Sequence, residues 1–154
     1  MNQSSILLNK AIDDLRTISH TLNAQYINKG SLSGAVQTEL SYITSVRDLD
    51  CKLQVSGQER DLPPDRQTLL FRIVQEALGN AIKHAAASSI RVQLAYGEAG
   101  ITVRITDDGK GFSPDKHNGI GLDNMRQRAR LMGSELIIDS VAGQGSALSL
   151  TVTF

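Results

Sequence analysis

The stretch DDGKGFSPDKHNGIGLDN, residues 107–124, sets four glycines between two regularly patterned segments. Ordering glycine costs more backbone entropy than ordering any other residue. A compact chain that carries so much of it at one place either turns there or lets something approach its backbone. Upstream, GITVRITDD alternates apolar and polar residues as a half-buried strand does. Downstream, LDNMRQRARLM has a helical period and ends at Gly133. The stretch therefore joins the end of a strand to the start of a helix.

The remaining pattern places this junction in a fold. SSILLNKAIDDLRTISHTLN repeats Leu8, Ala11, Leu15, Ile18 and Leu22 at spacings of three and four, a seam that one helix offers another. Two such heptads fit an ordinary amphipathic helix equally well. Gly30 and Gly34 punctuate the next stretch, and SGAVQTELSYITSV reads as a helix with Val36, Leu40 and Ile43 on one side. CKLQVSG alternates as a short strand at Cys51, Leu53 and Val55. Pro63, Pro64 and Asp65 open a long helix that the pattern carries to about Ala86. SSIRVQLAYG and GITVRITDD form a hairpin turning at Gly97–Gly100, and SELIIDSV and SALSLTVTF form a final pair around AGQG. Helices set apart from largely antiparallel strands predict an α+β two-layer sandwich.

The long helix carries a polar stripe. At about 100° per residue, Glu76, Asn80, Lys83 and His84 share roughly a quarter turn, while Leu70, Ile73, Val74, Ala77, Ala81 and Ala85 fill the other side. An amide oxygen can ligate Mg²⁺ jointly with substrate phosphates. An ammonium can pair with phosphate, and a carboxylate can take a proton from an attacking group. A solvated helix face has the same composition, and His84 taken alone reads as structural.

The glycines divide into two groups. Gly109 and Gly111 follow Asp107, whose carboxylate can accept from an exocyclic amine of a base, and Phe112 can cover an apolar ring. Asp108-Gly109 also fits a type I′ turn. GIGL, from Gly119 to Leu122, comes just before a helix, where free N–H groups and the helix dipole favour phosphate. No G-x-x-x-x-G-K-[ST], no G-x-G-x-x-G between strand and helix, and no H-E-x-x-H occurs. Lys+Arg and Asp+Glu both number 16, so a general affinity for nucleic acid or acidic membranes is not expected. The one cysteine, Cys51, excludes a disulfide framework. No apolar run approaches the ~18 residues of a membrane span and no signal peptide is visible, so a cytoplasmic domain is expected, compatible with a parent protein anchored in a membrane.

At this point the sequence resembles a known family. FRIVQEALGNAIKHA is similar to the N box of the GHKL ATPases, with Glu76 and Asn80 in E-x-x-x-N spacing. DDGKGF resembles the G1 box, D-x-G-x-G, and GIGLDNMRQRARLMGSELIIDSVAGQGSALSLTVTF the G2 box and the strands beyond it. The phrase around Glu76 resembles the sensor histidine kinases whose regulators carry LuxR-type DNA-binding domains. The resemblance is strong from Leu62 to Phe154 and looser before it.

It implies a Bergerat-type ATP-binding fold with Mg²⁺. Asp107 would read the adenine amine, with Gly109, Gly111 and the Gly145-Ser146 turn beside it. Asn80 would ligate Mg²⁺, and Lys83 and His84 would lie near the nucleotide. Gly119, Gly121 and Leu122 would belong to the phosphate loop, and Glu76 would be the acid that helps activate the acceptor. Gly79 stands where this class often has Asn, and Ser146 where Thr is usual. Only FSPDKHN separates the glycine boxes, which implies a short lid. Residues 1–28 would be the second helix of a dimerisation hairpin, able to pair two copies, and 29–154 the catalytic domain. The phosphorylated histidine of the family lies on the first hairpin helix, so none of His20, His84 or His117 is expected to be the acceptor. A response regulator would be an indirect partner. An anti-sigma-type serine kinase and a non-catalytic nucleotide module of the same fold are the alternatives.

Overall fold

The computed structural model describes residues 30–113 and 119–154. The expected helix over residues 1–28, with His20, and the lid histidine His117 lie outside the described residues. The described chain runs α1 (Leu32–Val46), β1 (Asp50–Ser56), α2 (Pro64–Lys83), β2 (Ser89–Tyr96), β3 (Gly100–Asp107), α3 (Ile120–Leu131), β4 (Ile137–Ser140) and β5 (Ser146–Thr153).

The strands form one sheet in the order β1-β2-β3-β5-β4. All neighbours are antiparallel except β1 and β2, which are parallel. Parallel strands need a long crossover, and α2 supplies it by running back over the sheet. The registers align the inward residues in rows. Val92, Ile105 and Leu148 face across three strands, as do Leu94, Val103 and Leu150, and Tyr96, Ile101 and Val152. All nine are buried, while Arg91, Gln93, Thr102, Arg104 and Thr151 on the opposite face are exposed. One face packs on helices and the other meets water, which is the expected α+β two-layer sandwich.

α2 begins as its prolines dictate, with Pro63 at the cap, Pro64 following and Asp65 in the first turn. Leu70, Ile73 and Val74 have no exposure at all. Phe71 and Leu78 are also buried, widening the apolar arc beyond the expected face. Four residues after Phe71 and three before Leu78, Gln75 meets α1, its Nε2 donating to Glu39 Oε2 at 3.4 Å. The helix stops at Lys83 rather than near Ala86. His84 and Ala85 both donate to the Asn80 carbonyl, at 2.9 and 3.2 Å, and Ala86 turns left-handed at φ 49°.

The start of α1 is pinned from several sides. Ser31 Oγ caps the Gly34 N–H at 3.1 Å. The Glu59 carboxylate accepts from Ser33 N–H, Ser33 Oγ and the Tyr96 hydroxyl. Burial, together with that carboxylate, pushes the Tyr96 hydroxyl above the ordinary tyrosine range. Buried Gln67 donates to the Gly30 carbonyl at 3.0 Å. At the other end of the sheet, Asp108 Oδ1 accepts from Ser88 N–H and Ser89 N–H, both at 2.8 Å, and these bonds hold its carboxyl below the usual carboxylate range.

Leu78→Ala should lower stability by about 2–5 kcal/mol in urea titration, as for a fully buried leucine. A loss below about 1 kcal/mol would show that the α1 flank is not packed. Asp108 should stabilise fully above about pH 4, its contribution fading as pH falls through its lower folded value. The melting-temperature gap between wild type and Asp108→Ala should therefore be present at neutral pH and close in acid.

Candidate functional site

Asp107 ends β3, directly opposite Ser146, the first residue of β5. Ser146 Oγ donates to one oxygen of its carboxylate, and the Gly109 N–H donates to the other at 2.9 Å. The carboxylate is half-buried and fixed through both oxygens, each with lone-pair capacity left for a further donor. Asp108-Gly109 does not make the alternative hairpin turn. The hairpin of β3 is with β2, closed by Gly97 N–H to the Gly100 carbonyl at 2.9 Å.

The loop after Asp107 is held by its backbone. Lys110 N–H donates to the Ala85 carbonyl at 2.7 Å, and a Cβ on buried Gly109 would strike Ala85. This seats the loop on the end of α2. From the other side, Gly143 N–H donates to the Lys110 carbonyl at 2.6 Å. Gly111, at φ +59°, leaves no room for a Cβ beside the Val141 carbonyl, and Gly145, at φ +79°, none beside the Asp107 carbonyl. The loop, the end of α2 and the β4–β5 turn thus form one body around Asp107.

The second half of the site lies along α2. Glu76 and Asn80 are half-buried, and Lys83 and His84 are exposed, so the stripe faces outward from the core as expected. α3 begins earlier than its pattern implied, at Ile120, with Gly119 as its cap. Gly121 and Leu122 therefore stand in its first turn rather than before it. The first bond of this helix runs from Asp123 N–H to the Gly119 carbonyl at 3.2 Å. Ile120, Gly121 and Leu122 accordingly present N–H groups that a helix start leaves without a helical acceptor. A Cβ on Gly121 would collide with Glu76 Oε1, so the start of α3 lies against that carboxylate. Gly119 meets no such crowding. Leu122 packs its side chain on the core, leaving its backbone as the part that can serve a ligand.

The structure brings Asp107, Gly109, Gly111 and Ser146 together at one end of the stripe, and Glu76 and Gly121 at the other. Asn80, Lys83 and His84 lie between them on α2. Two side chains that hold the site together carry no motif in the sequence. Asp108 fastens the α2–β2 connection. Ser140 Oγ accepts from Phe112 N–H at 2.8 Å and donates to the Gly145 carbonyl at 3.2 Å. An aspartate that ends a strand-loop junction is a common backbone acceptor and could have flagged Asp108. Nothing local flags Ser140.

The donor set suits a nucleotide with its cation. An oriented carboxylate, close-approach glycines, a lysine and free helix-start N–H groups match a base and a polyphosphate. Among the described residues no group of three or more His, Cys, Asp or Glu converges to hold a metal. A divalent ion here would be held jointly by the Asn80 amide and ligand oxygens.

Comparison with known proteins agrees. Residues 65–154 match the model of the histidine kinase-, DNA gyrase B-, and HSP90-like ATPase family. The chain is 32% identical over 142 residues to the sensor histidine kinase MctS of Rhizobium johnstonii, covering 88% of this chain and 31% of that protein. It is 28% identical over 149 residues to the oxygen sensor histidine kinase NreB of Staphylococcus carnosus, covering 95% and 43%. The chain thus spans less than half the length of either relative. The histidine kinase domain of a blue-light activated histidine kinase from Erythrobacter litoralis superposes with a TM-score of 0.65 at 24% identity, over 80% of this chain and 61% of that one. The chain belongs to the histidine kinase-, DNA gyrase B- and HSP90-like ATPase family, as an ATP-binding domain of the sensor histidine kinase kind.

Proposed function

We propose that this domain binds Mg-ATP and presents it for phosphoryl transfer to a histidine on the dimerisation region of a sensor histidine kinase. The observation that carries this is the Asp107 carboxylate, held between Gly109 N–H and Ser146 Oγ within the glycine body, with the α2 stripe leading from it to the start of α3. Bound Mg-ATP would supply the transferable phosphoryl group and a neutralising cation, and such transfer depends mainly on positioning and charge.

The chain's own residues do the rest. Asp107 accepts the adenine amine, and Gly109, Gly111 and Ser146 shape its surroundings. Asn80 ligates Mg²⁺, Lys83 neutralises phosphate, and His84 flanks it. Gly119, Gly121 and Leu122 offer backbone N–H groups to phosphate oxygens. Glu76, beside Gly121, takes or orients the proton of the attacking group. The acceptor histidine is placed in another part of the whole protein, and residues 1–28 are read as the second helix of its dimerisation hairpin, able to pair two copies. A response regulator of LuxR-type output would take the phosphoryl group onward. No helix among the described residues is long and apolar enough to cross a membrane, and we place the domain in the cytoplasm, where ATP is supplied.

Calorimetric titration with ATP and ADP, with and without Mg²⁺, tests the nucleotide site. Asp107→Asn should weaken binding roughly ten- to a hundredfold, the cost of a charge-assisted hydrogen bond. Unchanged affinity would sink the adenine assignment. Asn80→Ala should remove the response of binding to metal. With the dimerisation region restored, Glu76→Gln should slow transfer by about 10²–10⁴-fold while leaving ATP affinity near wild type. A fall in affinity alone would make Glu76 a structural partner of Gly121.

A further inference from the structure

Ser140 closes a four-residue edge strand whose neighbours Ile137 and Asp139 are exposed. Its hydroxyl nevertheless uses both its accepting and its donating capacity, on two segments that meet around Asp107. Phe112 N–H, its donor, lies one residue past Gly111, where the chain leaves the loop toward Gly119. The Gly145 carbonyl, its acceptor, belongs to the residue before Ser146, whose own hydroxyl orients Asp107. Ser140 is therefore one side chain from the Asp107 carboxylate without touching it. The turn between β4 and β5 also bonds to the loop through Gly143 N–H and the Lys110 carbonyl, at 2.6 Å. That bond seats the start of the loop, and the Ser140 hydroxyl seats its exit.

We propose that Ser140 is a positioning residue for nucleotide binding, fixing the departure point of the loop at Phe112 in register with the Ser146–Asp107 pair. The inference rests on the reading of Asp107 as the group that recognises the base. Removing the hydroxyl takes the bond from Phe112 N–H and loosens the Gly145-Ser146 turn together. The aspartate then samples orientations in which it cannot meet the base amine.

The test compares Ser140→Ala, Ser140→Cys and Ser140→Thr by three readouts: melting temperature, amide exchange at Phe112, and ADP affinity. Ala and Cys should melt close to wild type, exchange the Phe112 amide faster, and bind ADP roughly tenfold more weakly. Thr, which keeps the hydroxyl, should restore both exchange protection and affinity. Cys fills the serine's place with a poor hydrogen-bonding group and so serves if Ala fails to fold. Faster exchange with wild-type affinity would reduce Ser140 to a structural tie and overturn the proposal. Unchanged exchange would overturn it at its first step. If wild type binds no ADP while the Phe112 amide behaves as expected, the failure lies in the nucleotide reading, and the proposal falls with it.

Discussion

The packing of α2 on the sheet governs the rest of this structure. A helix with Leu70, Ile73 and Val74 wholly excluded from water has no freedom to roll about its axis. Rolling by one residue, about 100°, would drive Glu76 or Asn80 into the core and strand a polar group there. The hydrophobic effect acting on one side thus sets the angular position of the polar side. α1 and α3 add to this by closing both flanks, at Gln75 and at Glu76. The parallel pairing of β1 with β2 sets the direction of the helix, since the crossover can return in only one sense.

Around Asp107 the order comes from close backbone contacts tied by the short side chains of Asp108, Ser140 and Ser146. The loop, the end of α2 and the β4–β5 turn interlock through carbonyls and N–H groups, at approaches that a Cβ would forbid. Such a wall holds its shape without long side chains, so little rotamer entropy is lost in building it. It also leaves the Asp107 carboxylate oriented through both of its oxygens, by Gly109 N–H and Ser146 Oγ. Among the described residues no three or more His, Cys, Asp or Glu side chains converge to hold a metal, so an ion at this site would need oxygens from a ligand.

What was legible in the sequence came from periodicity and from motifs. The 3.6-residue period put Glu76, Asn80 and Lys83 on one side of α2, and alternation gave the strands and the inward rows of β2 and β3. The resemblance supplied the pairing of Asp107 with its glycines. What was not legible depended on neighbours distant in the chain. Phe71 and Leu78 are buried in the common core on the flank where Gln75 meets α1, which the pattern of α2 alone does not state. α2 stops short because Ala86 turns left-handed, and alanine gives no sign of that. Gly121 read as loop chemistry, yet it is a helix residue kept small by Glu76. Ser140 has meaning only once β4 is known to lie beside β5 and the loop.

β5 lies inside the sheet, between β3 and β4, although it is the last strand in chain order. Asp107 and the Ser146 that orients it are 39 residues apart, and α3 and β4 must be made between them. Contacts of such sequence separation form late, because loop-closure entropy opposes them until the intervening elements are ordered. The orientation of the Asp107 carboxylate thus depends on β5 lying beside β3. On the proposed reading of Asp107, a bound nucleotide would therefore stabilise the sheet with β5 in place rather than any part of it.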